Sequence, residues 1–389
     1  MKYRIGILEM GSIHHNLLDL CKVYNLKNVK LTVFTSLEYY KQAKNLETLH
    51  DNIEWIVKKP GETNLRFLLR VQKVCNQRID LLDIRAVKQI EFWFFWPKTK
   101  TILAAFDGVF FFMPAKLVKN VFSSLLNSYN PIIIIKHLLY LLIAIRAWLF
   151  VKQSSAVYTV DSAVRNWLLS HITINKKFYQ LPHSPFEGTL KFNSNQLVIT
   201  IPGMIHDIRR DYDLALKVIS YLFSKYGEKI KVYLLGKPIG EYGRRIITLA
   251  NQLQQKGYNI AFFTKYVSIS QYSDIYNGSD LIFSPLNIYN FFRGKKEIYS
   301  KTMPSGIIQD THKFGKPVIV PESFNVPKEF KSSFLKYKNE SHLKSLLEEL
   351  LFSPTKIGEL KLNAYNNSKK NYSLPQLQSR MIQMLREIV

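Results

Sequence analysis

The sequence predicts an α/β protein built from two doubly wound domains in tandem. Three observations carry that expectation. Short apolar runs alternate with helix-like stretches in both halves of the chain, which is the pattern of βαβ units and a mainly parallel sheet. The alternation halts and restarts around a stretch rich in Pro, Ser, Gly and Asn, KKFYQLPHSPFEGTLKFNSNQ at 176–196. Finally, 389 residues with 47% apolar content can bury two or more ordinary cores.

In the first half, RIGILE (4–9), KLTVFTS (30–36), IEWIVKK (53–59) and LLDIR (81–85) read as strands, each a short apolar run closed by polar or turn residues. NLLDLCKVY (16–24), LEYYKQAKNLETL (37–49) and NLRFLLRVQKVCNQR (64–78) read as the intervening helices. TKTILAAFD (99–107) and AVYTVD (156–161) add two strands, and SAVRNWLLSHI (162–172) is the helix behind the last. Residues 108–152 are the apolar outlier, with GVFFFM followed by PIIIIKHLLYLLIAIRAWLFVK. A spanning helix needs about 20 residues with few charges. Lys136, His137 and Arg146 interrupt this run. The expectation is therefore a helix packed in the first domain, a basic apolar helix resting on a membrane surface, or both.

The second half restarts with LVITIPG (197–203), then KVYLLG (231–236), NIAFFTKYV (259–267), DLIFSPL (280–286) and PVIVP (317–321) as strands. Helices are expected through DYDLALKVISYLFSKYG, RRIITLANQLQQKG and ISQYSDIYNGS. The division that follows is a first domain at 1–185, a linker at 186–196, a second domain at 197–372, and a last helix in 373–389 crossing back to the first domain.

Composition narrows the function classes. Two cysteines, Cys21 and Cys75, far apart and without His or Cys at metal spacing, give no disulfide frame and no structural zinc site. MKYRIGILEM has no signal-peptide pattern, so a cytoplasmic protein is expected. The net charge of +25 favours polyanionic partners such as anionic lipid or phosphorylated substrate. The charge is spread, with 25 Lys or Arg against 13 acids in 1–190 and 29 against 16 in 191–389. Nucleic acid is not expected as a partner, because Phe and Tyr fall mainly at apolar strand and helix positions instead of interleaving with basic residues.

Several stretches in one order carry a resemblance. A strand ending at Gly203 is followed by Arg209 and Arg210, then by YLLGKPIGEYG, FTKYVSISQYSDIYNGSDLIFSPL and SGIIQDTHKFGKPVIVP. Upstream, AVYTVDSAVRNWL leads to FYQLPHSPFEG. This series resembles the GT-B glycosyltransferases, and in the second half the large retaining family four, over about residues 156–389; Tyr337 to Leu351 resembles the family's tail helix. The resemblance implies two Rossmann-like domains facing each other across a cleft, with an acceptor-binding first domain and a nucleotide-sugar-binding second one. It implies no cofactor beyond the donor substrate, and no metal, since arginine rather than a bound cation meets the diphosphate.

The resemblance places the donor diphosphate and sugar on the turn Ser305, Gly306 and Ile307, and the nucleotide ribose on Asp310. A glycine turn opening a helix offers N–H groups to an anion, and open α/β sheets bind ligands beyond the carboxyl ends of their strands. Arg209 or Arg210 would neutralise the leaving diphosphate. Gly203, Lys237, Lys265 and Val267 complete the expected donor site. The family's paired glutamates, eight apart, are here Thr302 and Asp310; Glu297 is the nearest upstream acid and lies out of register. In the first domain, Gly11, Ser12, His14 and His15 form the expected acceptor-side loop, with His14 as a candidate general base. Asp107, at the end of a strand, is a further catalytic candidate. His183 and Glu187 read as structural hinge residues. The function implied is sugar transfer from a nucleotide diphosphate to a glycan or lipid-linked acceptor, at an anionic membrane surface on the cytoplasmic side.

Overall fold

The computed structural model describes residues 3–10, 14–44, 53–85, 87, 89–115, 118–119, 131–192, 196–292 and 295–389. In the first domain seven strands pair in parallel: β1 (Tyr3–Glu9), β2 (Val29–Thr35), β3 (Ile53–Val57), β4 (Leu81–Ile84), β5 (Lys100–Ala104), β6 (Ala156–Thr159) and β7 (Lys177–Gln180). Their order is β3-β2-β1-β4-β5-β6-β7. In the second domain β8 (Leu197–Pro202), β9 (Ile230–Leu235), β10 (Ile260–Phe262) and β11 (Leu281–Phe283) are followed by a separate antiparallel hairpin, β12 (Tyr289–Phe292) and β13 (Lys295–Ile298), and then by β14 (Val318–Pro321) and β15 (Phe334–Tyr337). The second sheet runs β10-β9-β8-β11-β14-β15. Strand order reverses beside β1 in the first sheet and beside β8 in the second, and such switch points open the crevices where α/β sheets hold ligands.

Helices on both faces explain why the central strands are apolar throughout: all six residues of β8 are buried. Local chemistry sets the helix ends. Thr63 caps the helix Asn64–Arg78 by accepting from the Arg66 N–H at 3.2 Å, and Gly315, at φ 58°, ends the helix Gly306–Phe314 in the left-handed region.

Three parts differ from the sequence reading. FYQ, read within the approach to the linker, lies in β7 and widens the first sheet. Tyr337 ends β15, and the tail helix begins only at Glu340, capped by Asn339. The hairpin β12–β13 has no counterpart in the sequence reading, because its strands are short and their partners local.

The two domains meet at several points. The last helix, Leu374–Ile388, buries Met381, Met384, Leu385 and Ile388 in one core with Leu17, Leu20 and Cys21 of the first domain. Gln378 donates to the carbonyls of Lys22 and Asn25, and Tyr179 donates to Glu387 at 2.7 Å. The chain between the domains is pinned as well, with the Phe186 N–H on the Tyr372 carbonyl and the Glu187 N–H on that of Lys313.

Two glycines let the loops after β8 and β9 touch. A Cβ on Gly236 would stand 1.9 Å from the carbonyl oxygen of Gly203, a backbone contact that no rotamer relieves. Gly236→Ala is therefore expected to destabilise the free protein by about 1–3 kcal/mol, as overpacking does. Urea unfolding checks this, and an unchanged midpoint would contradict the close approach.

Within the apolar segment 108–152 the described residues include the short helix Gly108–Phe112 and a long one, Pro131–Gln153, of 23 residues with mean hydropathy 2.0 over its most apolar window. Length and composition alone would let it cross a membrane. Its carboxyl half is nonetheless built into the first-domain core, where Ile143, Ala144, Ala147, Phe150 and Val151 are buried.

Candidate functional site

The residues that end β8 and β9, the loop after β10 and one face of the helix Gly306–Phe314 enclose a cavity of about 260 Å³. It gathers Gly203, Lys237, Lys265, Val267 and Asp310 of the expected donor site. Met204, Tyr266, Tyr272 and Gln309 add to its wall, and Asp19 and Ser184 close it from the side of the first domain and the interdomain segment. A wider groove of about 1410 Å³ lies at the opposite ends of the same strands, among Lys229, Lys231, Lys256 and Tyr258. That groove faces the amino ends of the strands, away from the switch point, so the smaller cavity is the better site.

Asp310 is the best-positioned side chain. The helix Gly306–Phe314 presents it one turn past its start, where Tyr276 donates to its carboxylate at 2.7 Å and Tyr272 at 3.1 Å. The two tyrosine rings pack at 4.8 Å, and Tyr276 stacks on Phe314 at 4.6 Å, which fixes both hydroxyls. Burial pushes the Asp310 carboxyl up to about 6, against the pull of the tyrosine hydroxyls, Arg210 and Lys313 toward the charged form. At neutral pH it is an ionised acceptor with capacity left for ligand hydroxyls.

Arg209 and Arg210 part company. Arg209 is exposed, and its backbone carbonyl accepts from Asn287. Arg210 folds inward. Its guanidinium lies over Gly203, where an added Cβ would come within 2.3–2.4 Å of three of its atoms, and its Nε is buried with no hydrogen-bond partner among the described residues. Asp211, capping the next helix through the Leu214 N–H, and Tyr212, donating to the Gly203 carbonyl at 2.7 Å, hold this loop. A positive charge is thus fixed beside the cavity with a donor to spare.

The glycine turn lies beside the cavity without lining it. Ser305 is buried at the N-cap and makes no side-chain cap bond, leaving the first N–H groups of the helix uncapped by it. Gly306 is exposed, and a Cβ placed there meets nothing within 4 Å, so the space before the helix start is open.

The position of the family's first glutamate is turned away. Thr302 is buried; its hydroxyl donates to Glu297 and accepts from the Ile298 N–H at 2.8 Å. Its carbonyl accepts from Gly108 of the first domain at 2.7 Å. Glu297, out of register along the sequence, is returned to Thr302 by the strand β13 and the tight loop after it. There it accepts from Phe110 N–H at 3.1 Å and Val109 N–H at 3.4 Å. Burial, then the nearby Asp107, pushes its carboxyl up to about 7, while Thr302 and the two N–H groups oppose the shift. Ser300, in the left-handed region at φ 54°, donates to Asp161 at 2.9 Å. The loop entering the donor turn is therefore docked on the first domain at three points.

In the first domain the expected residues are less assembled. Asp107 does not end a strand; it stands three residues past β5, buried at the start of the short helix Gly108–Phe112, facing Glu297 and not the cavity. A polar chain within an apolar run gives no cue to that turn. His14 and His15 open the helix His14–Tyr24, but their side chains, like Gly11 and Ser12, lie outside the described residues. His183 is buried 3.5 Å from Arg85, and burial, then Arg85, holds its ring well below the usual histidine range. Glu187 pairs with Lys22 at 2.6 Å and Lys313 at 3.4 Å, and Lys313 reaches Asp19 at 2.8 Å. Asp19 and Lys313 were not anticipated; both line the cavity and join the domains across it. Among the described residues no group of three or more His, Cys, Asp or Glu could hold a metal ion.

No protein-family model matches the chain, and no curated protein matches its sequence. Solved structures do match over its whole length. It is similar to sucrose-phosphate synthase from Thermosynechococcus elongatus, at TM-score 0.64 and 10% identity over 99% of both chains. It is similar to HepE from Anabaena, solved in complex with UDP-glucose, at TM-score 0.63 and 11% identity over 99% of both. A UDP-N-acetylglucosamine 2-epimerase also matches, at TM-score 0.57 and 8% identity over 99% of this chain and 96% of that one. At such identities the likeness defines the fold. The chain has the GT-B fold, two Rossmann-like domains with a cleft between them.

Proposed function

We propose that the protein is a glycosyltransferase of the retaining type, moving a sugar from a nucleotide-diphosphate donor to a glycan or lipid-linked acceptor at the cytoplasmic face of a membrane. The observation that carries the reading is Asp310 in the wall of the cavity at the switch point of the second sheet, with the guanidinium of Arg210 seated over Gly203, which lines the same cavity. Asp310 is suited to the ribose hydroxyls, the open helix start at Gly306 to a phosphate, and the guanidinium of Arg210 to the charge that grows on the leaving diphosphate. With that charge met by arginine, transfer needs no divalent ion. The complexes of HepE favour UDP as the nucleotide. Closing of the domains, through contacts such as Lys313 with Asp19, would exclude the water that hydrolyses an activated sugar.

A second reading, a nucleotide-sugar epimerase, is favoured by the match to the 2-epimerase. It asks for acids facing the donor sugar. Thr302 and Glu297, which stand nearest that position in the sequence, bond each other and the first domain instead. A catalytically silent binding subunit is the reading left if no transfer is found.

Thermal unfolding against a panel of nucleotide diphosphates and nucleotide sugars tests the proposal. At ligand a hundredfold above Kd, binding stabilises by about 2.7 kcal/mol. A selective rise with one nucleotide, followed by sugar release or transfer detected by mass spectrometry, supports a transferase. A shift with UDP-N-acetylglucosamine accompanied by a new C2 epimer would replace it with the epimerase. A flat panel from folded protein would end both enzyme readings.

A further inference from the structure

We infer that Glu297 is a positioning residue for the donor. It clasps the first domain and, through the loop 298–305, fixes the helix start at Gly306 that would take the diphosphate end of a nucleotide sugar. The inference rests on the transferase reading and adds to it a residue that the family resemblance does not carry.

Glu297 is fully buried near the end of β13, and its two carboxylate oxygens bond to both domains. Oε1 accepts from the Phe110 N–H at 3.1 Å; Oε2 accepts from the Val109 N–H at 3.4 Å and from the Thr302 hydroxyl. One side chain is thus tied to the first-domain helix Gly108–Phe112 and to the loop that leads into the donor turn. Beside it the two backbones meet directly. The Gly108 N–H donates to the Thr302 carbonyl at 2.7 Å, and a Cβ on Gly108 would stand 2.7 Å from that oxygen. Packing alone does not call for this arrangement. Burying a carboxylate costs desolvation that an apolar side chain avoids, so what the acid adds is direction.

The loop carries that placement onward. The N–H groups of Lys301, Thr302 and Met303 converge on the Ile298 carbonyl at 3.1, 2.9 and 3.1 Å, and the Ser300 N–H bonds to the Met303 carbonyl at 2.7 Å. Ser300, at φ 54°, holds a left-handed backbone that costs a non-glycine residue energy. Its hydroxyl on Asp161 at 2.9 Å and Asn325 donating to its carbonyl at 3.0 Å keep it there. Only Met303, Pro304 and Ser305 separate Thr302 from Gly306, and the proline ring fixes its own φ. A shift at Thr302 therefore reaches the helix start with little slack to absorb it.

The test approaches the contact from both domains. Glu297→Ala removes the clasp, and Gly108→Ala drives the backbones apart without altering any residue of the loop. Glu297→Gln keeps an acceptor for the N–H groups and an amide from which the Thr302 hydroxyl can accept, so it should recover most of the loss. Should Glu297→Ala not fold, Glu297→Asp, one methylene short of the same bonds, replaces it. Titration calorimetry on the full chain uses two probes. UMP carries the ribose suited to Asp310 and one phosphate, and UDP-glucose adds the second phosphate and the sugar. Both alanine variants should weaken UDP-glucose by roughly threefold to thirtyfold, and leave UMP within about twofold, its ribose contact lying apart from the altered one. In the free variants, hydrogen exchange should quicken in peptides covering 300–308 as well as 108–112. Equal losses for the two probes would overturn the inference and leave Glu297 an interface packing residue. So would an unchanged Gly108→Ala, or quicker exchange confined to 108–112. Wild-type protein that takes up neither probe sinks the transferase reading alone, since the exchange pattern still decides whether the first domain holds the turn.

Discussion

Arg210→Ala is expected to lower the rate of sugar transfer by about 10²–10³-fold, the loss typical when a fixed donor to a developing anion is removed. Arg209→Ala should stay within about threefold, because a solvated surface arginine contributes little across high dielectric. The contrast follows from geometry. The guanidinium of Arg210 is seated over Gly203 with its Nε buried and unsatisfied among the described residues, whereas Arg209 is exposed. A buried donor without a partner carries a desolvation cost that an oxygen of the bound diphosphate would relieve. Charge grows on that diphosphate only as the glycosidic bond breaks, so the loss should fall mainly on kcat, with donor KM changing less. Arg210→Lys should recover only part of the rate, since an ammonium cannot present the same planar set of donors. Circular dichroism and the melting midpoint of the free protein keep the comparison to folded variants. Equal losses in both arginine variants, or a loss confined to KM, would remove Arg210 from the role.

Why the sequence could not choose between these two arginines is a matter of local backbone. They are neighbours in an irregular loop, where one residue's turn sends one side chain to water and the next to Gly203. Regular elements were easier to read. The alternation of apolar strands and amphipathic helices carries both sheets, since central parallel strands are covered on both faces and must be apolar throughout. The glycine after β8, the lysines after β9 and β10, and the acid on the helix after the turn stand out only through the resemblance to the GT-B glycosyltransferases, not through any local pattern of their own. Contacts made by tertiary folding are another matter. Tyr272 and Tyr276 look like two aromatic positions of a helix until that helix is packed beside Asp310. Glu297 reaches Thr302 only through the register of β12 against β13 and the strained turn at Ser300. The apolar helix Pro131–Gln153 has one composition along its length, yet Ile143, Ala144, Ala147, Phe150 and Val151 are core while Ile135, Leu138, Leu139 and Leu142 are exposed, a difference set by which part the first domain covers.

Asp310→Asn is expected to weaken a nucleotide sugar by about tenfold to a hundredfold at pH 7.5, the range for losing the charge from a charged hydrogen bond. Its pH behaviour is the sharper test. Burial holds the wild-type carboxyl near 6, above its ordinary value of 3.8. Above pH 6 it is ionised and accepts from Tyr272, Tyr276 and the ligand; below, the proton removes part of that capacity, so affinity should fall as pH drops through about 6. A nucleotide sugar is the right probe, because its diphosphate is esterified at both ends and keeps its charge over this range. The asparagine variant should show weak affinity with little pH dependence. The stability of the free protein should move the opposite way. A carboxyl whose folded pKa lies above its unfolded one makes the folded state the better proton binder. Asp310 therefore opposes folding at neutral pH, and its contribution becomes more favourable as pH falls from about 6 to about 4. Removing the charge should flatten that part of the stability profile and leave the variant at least as stable as the wild type at pH 8, provided the amide still pairs with both tyrosines. Loss of affinity with unchanged or raised stability is the signature of a ligand contact. Loss of both together, with no change in the pH profile of binding, would make Asp310 a packing residue and move the nucleotide elsewhere in the cleft.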